Sequence, residues 1–408
     1  MVRTRSSQAE SSTATSRECA CRLLLLALVF QGFRLMNWSS ETPDESELLG
    51  NNGTEAASTI FSMHSTLFLK SVGLGLMVAL TIGGNLLVMI AVLATPCGGL
   101  LHRSPTHLLI ANLAAADLLL GVVVLPLSAA RELAGGEWPF GRRLCAVWAA
   151  ADVLCCTASI LSLCGISVDR FVGVTRPLAY SGIITKKRAT WMILSIWALA
   201  LAISIGPPLG WKDASQGDEC GVNKQLDYVI FSVLGSFYLP MLVIVILYFQ
   251  VYRAVAKRSS EIESGKNVCG DVFLRVHYAN GLMSRQRPLL TRASTRAAIL
   301  CTSKFTRQKK AAQTLAIVVG GFLVCWLPFF IILPIDSACS SCGLSGAPFT
   351  FAFWLGYFNS CINPFIYACS SYELRRAFRS VLCGRTRGLK RSTANSSPAA
   401  SIPLNHFI

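Results

Sequence analysis

Charge is what this 408-residue chain has least of: Asp, Glu, Lys and Arg together make up 14% of it, against 53% hydrophobic residues. An ordinary soluble domain carries about a quarter of its residues charged, so this composition excludes that class and points to lipid as the solvent. Histidine is scarce too, with five in the chain and none central in an apolar run. No Gly-x-Ser-x-Gly elbow, His-Glu-x-x-His helix or Gly-x-x-x-x-Gly-Lys loop occurs, which leaves hydrolase, zinc-protease and phosphate-loop chemistry without a carrier. Internal repeats of the kind that build two-halved transporters are also missing, and an odd number of spans divides poorly into halves.

What is present is long apolar runs. Seven of them, near Ser71–Ala94, His107–Ala130, Leu144–Val168, Ala189–Leu209, Tyr228–Val251, Ala311–Ile335 and Phe349–Ala368, each reach the ~20 residues a helix needs to cross about 30 Å of hydrocarbon. The expected fold is an all-α membrane protein, a seven-transmembrane helix bundle. Lys and Arg collect between Lys257 and Lys310, at Lys186, Lys187 and Arg188, and in the tail from Arg375 to Arg391. Basic loops stay on the cytoplasmic side, so the N-terminus is expected outside and the C-terminus inside a plasma membrane. The net charge of +16 then belongs to the face that meets anionic lipid and protein partners, and no nucleic acid is needed to explain it.

The polar N-terminal segment, residues 1–66, carries the glycosylation triplets Asn37-Trp-Ser and Asn52-Gly-Thr on the side expected to be extracellular. Its run "RLLLLALVF" at 22–30 is too short to span and has the length of a signal-peptide core, cleaved or retained. Most of the sixteen cysteines lie within apolar runs, but Cys145 and Cys220 fall at an outer helix end and in an outer loop and are the candidate disulfide. Cys339 and Cys342 in the last outer loop are candidates for a second.

Polar residues at membrane depth must face the interior, so each is a functional hypothesis. In "WAAADVLCCTASI" the lone carboxylate of Asp152 lies seven residues, or about 10 Å of helix, from Cys145. No basic residue is central in any span, which makes an arriving organic cation the natural counter-charge. Ser232 and Ser236, four apart in "FSVLGSFYLP", share a helix face and can either meet ligand hydroxyls or bond back to their own helix. Trp326, Phe329 and Phe330 form an aromatic stripe beside Pro328, suited to a flat ring or an ammonium group as well as to plain core. A second cluster of buried oxygens, Asp117, Ser159, Asn359 and Asn363, suits a sodium ion or a proton. Arg170 follows Asp152 by 18 residues, five whole turns, and so lies on the same face at the other end of one helix, next to Asp169. Pro126, Pro240, Pro328 and Pro364 interrupt four spans and supply places to bend.

Gly84-Asn85, "LAAAD" ending at Asp117, Cys145, Asp169-Arg170, Trp197, Pro240 with Tyr248, "CWLPFF" at 325–330 and Asn363-Pro364 followed by Tyr367 resemble the motifs of rhodopsin-like G-protein-coupled receptors over residues 67–383. Asp152 with Ser232 and Ser236 resembles the aminergic group. "WAAADVLCCTASILSLC", "SIGPPLGW", "KKAAQTLAIVVG" and "FWLGYFNSCINP" are similar to the alpha-1-type adrenergic receptors.

The resemblance implies helices near 67–95, 106–131, 142–174, 188–210, 227–256, 308–336 and 347–369 within a bundle over 67–371. A basic cytoplasmic loop would fill 257–307, and a flexible tail 384–408. An amphipathic eighth helix would run over 372–383, with Leu374, Phe378 and Leu382 on one side and Cys383 as a palmitoylation site. It implies noradrenaline or adrenaline on Asp152, the catechol near Ser232 and Ser236, Trp326, Phe329, Phe330, Phe353 and Tyr357 around it, and Val153 and Cys156 as floor. It further implies Gq/11 coupling through Asp169, Arg170, Tyr248 and Tyr367, arrestin and receptor kinases as partners, and no cofactor beyond the sodium ion. Octopamine or another biogenic amine is the rival ligand, and a transporter the rival class.

Gln308 stands where the family commonly has an acidic residue that pairs with the arginine of the Asp-Arg motif, so raised basal signalling is expected. Phe171 replaces the usual tyrosine after that motif, and Ala368 stands where the alpha-1 group has proline.

Overall fold

A computed structural model of the chain describes residues 53–93, 104–177, 179–206, 220–263, 287–339, 342–344, 346–370 and 372–382. Among them every regular element is helical. The helices are α1 Gly53–Leu93, α2 Pro105–Leu133, α3 Gly141–Thr175, α4 Lys186–Ser204, α6 Arg287–Ala338, α7 Ala347–Ser370 and α8 Tyr372–Leu382. Helix α5 combines Leu226–Val233, a π turn at Leu234–Tyr238, and Leu239–Glu263. A single helical turn, Tyr180–Ile183, lies between α3 and α4.

Helix α3 runs through the middle against α2, α4, α5 and α6, and α7 closes the ring between α6 and α1. The arrangement is inside-out relative to a water-soluble bundle. Phe68, Trp191, Phe249 and Tyr252 point outward, while Asn85, Asp117, Ser162, Asp169 and Asn363 are buried. Hydrocarbon cannot hydrogen-bond, so polar side chains gain only by turning inward. By length and apolarity α1, α2, α3, α5 and α6 each hold a membrane-crossing stretch. Helix α4 falls short because it opens on Lys186, Lys187 and Arg188, and α7 because Asn359, Asn363 and Pro364 sit in its middle.

The prolines act as bends whose loose ends are tied. A helix proline lacks an N–H and strands the carbonyl four residues back. For Pro364 that carbonyl is Ser360 O, which accepts from Asn85 Nδ2 of α1 at 3.0 Å. For Pro334 it is Phe330 O, which accepts the Tyr238 hydroxyl of α5 at 3.1 Å. Ahead of Pro126 and at Pro240 the chain instead widens into π turns, Leu120–Val124 and Leu234–Tyr238, which make room for the proline ring. Gly84 is required by the same packing: a Cβ there would lie 2.8 Å from the Pro364 ring.

Several helix ends differ from the sequence expectation. Helix α1 begins at Gly53 rather than near 67, since no proline falls between Gly53 and Thr66 and hydropathy marks only the lipid-crossing part. Helix α4 starts at Lys186, capped by Thr185 Oγ1, which accepts from Arg188 N at 3.3 Å. The basic segment 257–307 is largely helical at both ends, with α5 running to Glu263 and α6 starting at Arg287. In α8, Leu374 and Phe378 are buried as expected, but Leu382, the last residue of the helix, is 71% exposed. Arg375 fixes α8 by donating from Nε to Ala368 O at 2.7 Å and from a terminal nitrogen to Cys369 O, satisfying the last carbonyls of α7.

Candidate functional site

Asp152 sits half-buried on α3 with two neutral neighbours. Cys156, one turn on, places its thiol 3.5 Å from Oδ1, and the Tyr357 hydroxyl of α7 donates to the carboxylate. Tyr357 is itself steadied: Ser128 Oγ of α2 lies 3.4 Å from its oxygen and accepts the Trp148 indole N–H at 3.0 Å. Three helices thus orient one carboxylate, yet among the described residues no basic side chain pairs with it.

Beside it stands a continuous aromatic wall. The Trp326 ring lies 5.8 Å from Phe329, 5.6 Å from Phe330 and 6.3 Å from Tyr357. Phe353 is 5.7 Å from Phe329 and 4.5 Å from Tyr357. The indole fits against α7 because residue 356 is glycine; a Cβ there would meet it at 2.6 Å. Phe237 of α5 stacks on Phe330 at 4.2 Å and joins the wall to the segment holding Ser232 and Ser236. Both serines are buried. Ser232 Oγ donates to Val229 O at 3.2 Å and Ser236 Oγ to Ser232 O at 2.5 Å, so each proton is spent on its own helix while the oxygen lone pairs remain able to accept. Val153 is half-buried on α3 beside Asp152.

The second cluster gathers around buried Asp117 of α2. Ser159 Oγ donates to Oδ1 at 3.3 Å, Ser360 Oγ to Oδ1 at 2.8 Å and Asn363 Nδ2 to Oδ2 at 2.8 Å. Asn359 does not join them. Its Nδ2 is buried without a partner, and Ser360, which shares Asn363's face at i and i+3, takes the expected place. Asn363 Oδ1 also lacks a partner.

At the far end of α3, Arg170 closes back on its neighbour, with Nε 2.9 Å from Asp169 Oδ2 and a terminal nitrogen on the same oxygen. Thr106 of α2 donates to Asp169 Oδ2 at 2.8 Å and Tyr180 to Oδ1 at 2.6 Å. Burial, and then the Asp169 charge, push the Tyr180 phenol up to about 12, so it remains a protonated donor at neutral pH. The hydroxyls of Tyr248 and Tyr367 are buried without partners. The side chain of Gln308 lies outside the described residues, as do Asn37, Asn52 and Cys383. Cys145 is bonded to Cys220 and Cys339 to Cys342.

Sequence reasoning passed over Ser128, Trp148, Phe237, Gly356, Ser360, Thr106 and Tyr180. Ser360 was within reach through its spacing from Asn363; the others come from separate helices and carry no local signal.

The sequence profile of the 7 transmembrane receptor (rhodopsin family) matches residues 84–367, spanning from Gly84, which abuts Pro364, through the aspartate clusters to Tyr367. The chain belongs to that family. The receptor is 47% identical over 324 residues to the alpha-1A adrenergic receptor of Bos taurus, an overlap covering 78% of this chain and 68% of that protein. Against the alpha-1A adrenergic receptor of Homo sapiens it is 46% identical over 324 residues, with 78% and 68% covered. Against the alpha-1D adrenergic receptor of Mus musculus it is 46% identical over 336 residues, with 78% and 59% covered. It is a multi-pass membrane receptor and not an enzyme.

Proposed function

We propose that this receptor binds a catecholamine, noradrenaline or adrenaline, from outside the cell and signals through Gq/11 to phospholipase C and calcium, with the Cys145 end of the bundle extracellular and the Arg170 end cytoplasmic. The observation that carries this reading is Asp152, an acid whose two partners are neutral, beside a wall of six aromatic rings in a chain 47% identical to an alpha-1A adrenergic receptor over 324 residues. An ammonium group supplies the missing charge to the carboxylate, and the rings of Trp326, Phe329, Phe330 and Phe353 hold the flat body of the ligand. Val153 and Cys156 form the floor. Ligand ring hydroxyls donate to Ser232 and Ser236, whose own protons stay on the helix. At the inner end Arg170 leaves Asp169 as α6 swings outward, and the unspent hydroxyls of Tyr248 and Tyr367 gain partners in that second arrangement. The agonist favours it by binding it more tightly.

A sodium ion at Asp117 is part of the same reading. The residues suit it: an anion with three neutral donors, and an unpartnered carbonyl oxygen on Asn363. Asp117, Ser159, Ser360 and Asn363 are the residues that would hold the ion, which would supply the positive charge that Asp117 lacks. Arrestin and receptor kinases are the further partners at the cytoplasmic face, with glycans at Asn37 and Asn52 and a palmitoyl group at Cys383.

Calcium release in transfected cells against a panel of biogenic amines tests the function. Noradrenaline and adrenaline should act most potently, and Asp152→Ala should abolish the response; a response surviving in that variant defeats the reading. Octopamine is the second candidate, favoured by the self-bonded serines, which need not imply two ligand hydroxyls. Ser232→Ala and Ser236→Ala made separately decide between them. Each should cost a catecholamine about tenfold, whereas a monophenol would lose potency in one variant alone.

A further inference from the structure

Phe330, a member of the aromatic wall on α6, is held from α5 at two points. Its ring stacks on Phe237 at 4.2 Å with the planes 14° apart, and its main-chain oxygen accepts the Tyr238 hydroxyl at 3.1 Å. That oxygen is open to a side chain because Pro334, four residues on in α6, has no N–H to give it. A buried carbonyl seldom goes unpaired, so the second proline of α6 creates an acceptor and Tyr238 fills it. Phe237 and Tyr238 are neighbours in the π turn Leu234–Tyr238, and the residue before them in the same turn is the buried Ser236. Away from α5, the Phe330 ring meets Trp326 at 5.6 Å and Phe329 at 5.3 Å. The turn that presents a serine to the site is therefore bolted to the wall by a ring contact and by a directional hydrogen bond.

The two contacts do different jobs. A stacked pair tolerates a range of offsets, whereas a hydrogen bond weakens steeply once its geometry slips. We propose that Tyr238 is a positioning residue of the amine site: its bond to Phe330 O sets the spacing between the serine turn of α5 and the aromatic wall of α6, and with it the preference for amines that carry ring hydroxyls. The inference deepens the proposed function and rests on it for the identity of the ligand. A hydroxylated ring must lie on the wall and reach Ser232 and Ser236 at once, which succeeds only when the gap between α5 and α6 matches the ring. An amine without ring hydroxyls uses Asp152 and the wall alone, so the position of α5 matters little to it.

Radioligand competition on membranes tests this with noradrenaline and with phenylethanolamine, the same amine without its two ring hydroxyls. Tyr238→Phe keeps the ring and removes the bond. Noradrenaline affinity should fall about tenfold and that of phenylethanolamine by less than about threefold, the difference being the scale of a hydrogen bond lost to one ligand only. Equal losses for the two amines, or no loss for either, overturn the proposal. Pro334→Ala then separates positioning from mere satisfaction of a carbonyl, because it returns to α6 an N–H that Phe330 O can accept. In the purified, ligand-free receptor Tyr238→Phe should lower the melting temperature by about 3 °C when the proline is present and by under about 1 °C in the Pro334→Ala background. The loss of selectivity for noradrenaline should persist in that background; its disappearance there makes the hydroxyl purely structural and overturns the proposal. An unmutated receptor that binds neither amine defeats the proposed function instead, and the melting comparison still decides the tie between α5 and α6: a melting temperature unmoved by Tyr238→Phe overturns it.

Discussion

Asp117 and Asp152 are both acids held within a membrane-spanning bundle, and the structure treats them oppositely. Asp117 receives three hydrogen bonds from Ser159, Ser360 and Asn363, whereas Asp152 has one hydroxyl and one distant thiol. A charge ringed by fixed dipoles needs only a small ion, if any, to be at ease, while a charge left short of donors has most to gain from a hydrogen-bonding cation. The number of donors the protein itself supplies thus separates a structural or ionic site from a ligand site, although both positions read alike as lone acids in apolar runs.

That contrast can be broken most severely at Asp152. Asp152→Asn keeps the shape and removes the charge, and amine potency should fall by more than a hundredfold, equivalent to about 3 kcal/mol or more of lost charge pairing; radioligand competition reads it, and a loss under fivefold would erase the distinction between the two acids. Asp117→Asn comes next. Antagonist affinity should fall no more than about tenfold, but its dependence on sodium concentration should vanish, with Ser360→Ala weakening that dependence partway, as removal of one charge-assisted donor predicts. Persistent sodium dependence in Asp117→Asn would place the ion elsewhere.

The smallest change concerns a third acid, Asp169, which is satisfied by Arg170, Thr106 and Tyr180. With glutamine at 308 no second acid in that helix turn competes for Arg170. Installing one by Gln308→Glu should lower ligand-free inositol phosphate release about two- to threefold, the scale of a weak, partly exposed ion pair; an unchanged baseline would mean that Asp169 already holds Arg170 as firmly as two carboxylates would.

Much of this was legible in the sequence because a polar residue in hydrocarbon is conspicuous. Asp152, Asp117, Arg170 and the Trp326 stripe announce themselves against their background, and the bundle follows from the apolar runs. Partners drawn from other helices were not legible. Nothing near Ser128 or Trp148 indicates that they meet at 3.0 Å, and Tyr238 reads as ordinary filler of an apolar run until the fold delivers its hydroxyl to Phe330 O. Helix limits were obscured for a different reason: hydropathy records where lipid begins, while Gly53–Leu93 and Arg287–Ala338 continue into water wherever no proline or cap stops them.

The wide turn at Leu234–Tyr238 also has a consequence for engineering. A π turn accommodates one residue more than the α turn it replaces, which offsets everything beyond it by about 100° around the helix axis. Deleting a single residue there to make α5 regular would leave the chain helical and its composition almost untouched. It would nonetheless swing Tyr248, whose buried hydroxyl awaits a partner, out towards the acyl chains and shift Ser236 or Phe237 within the turn, yielding a helical protein with weakened ligand binding and no signal.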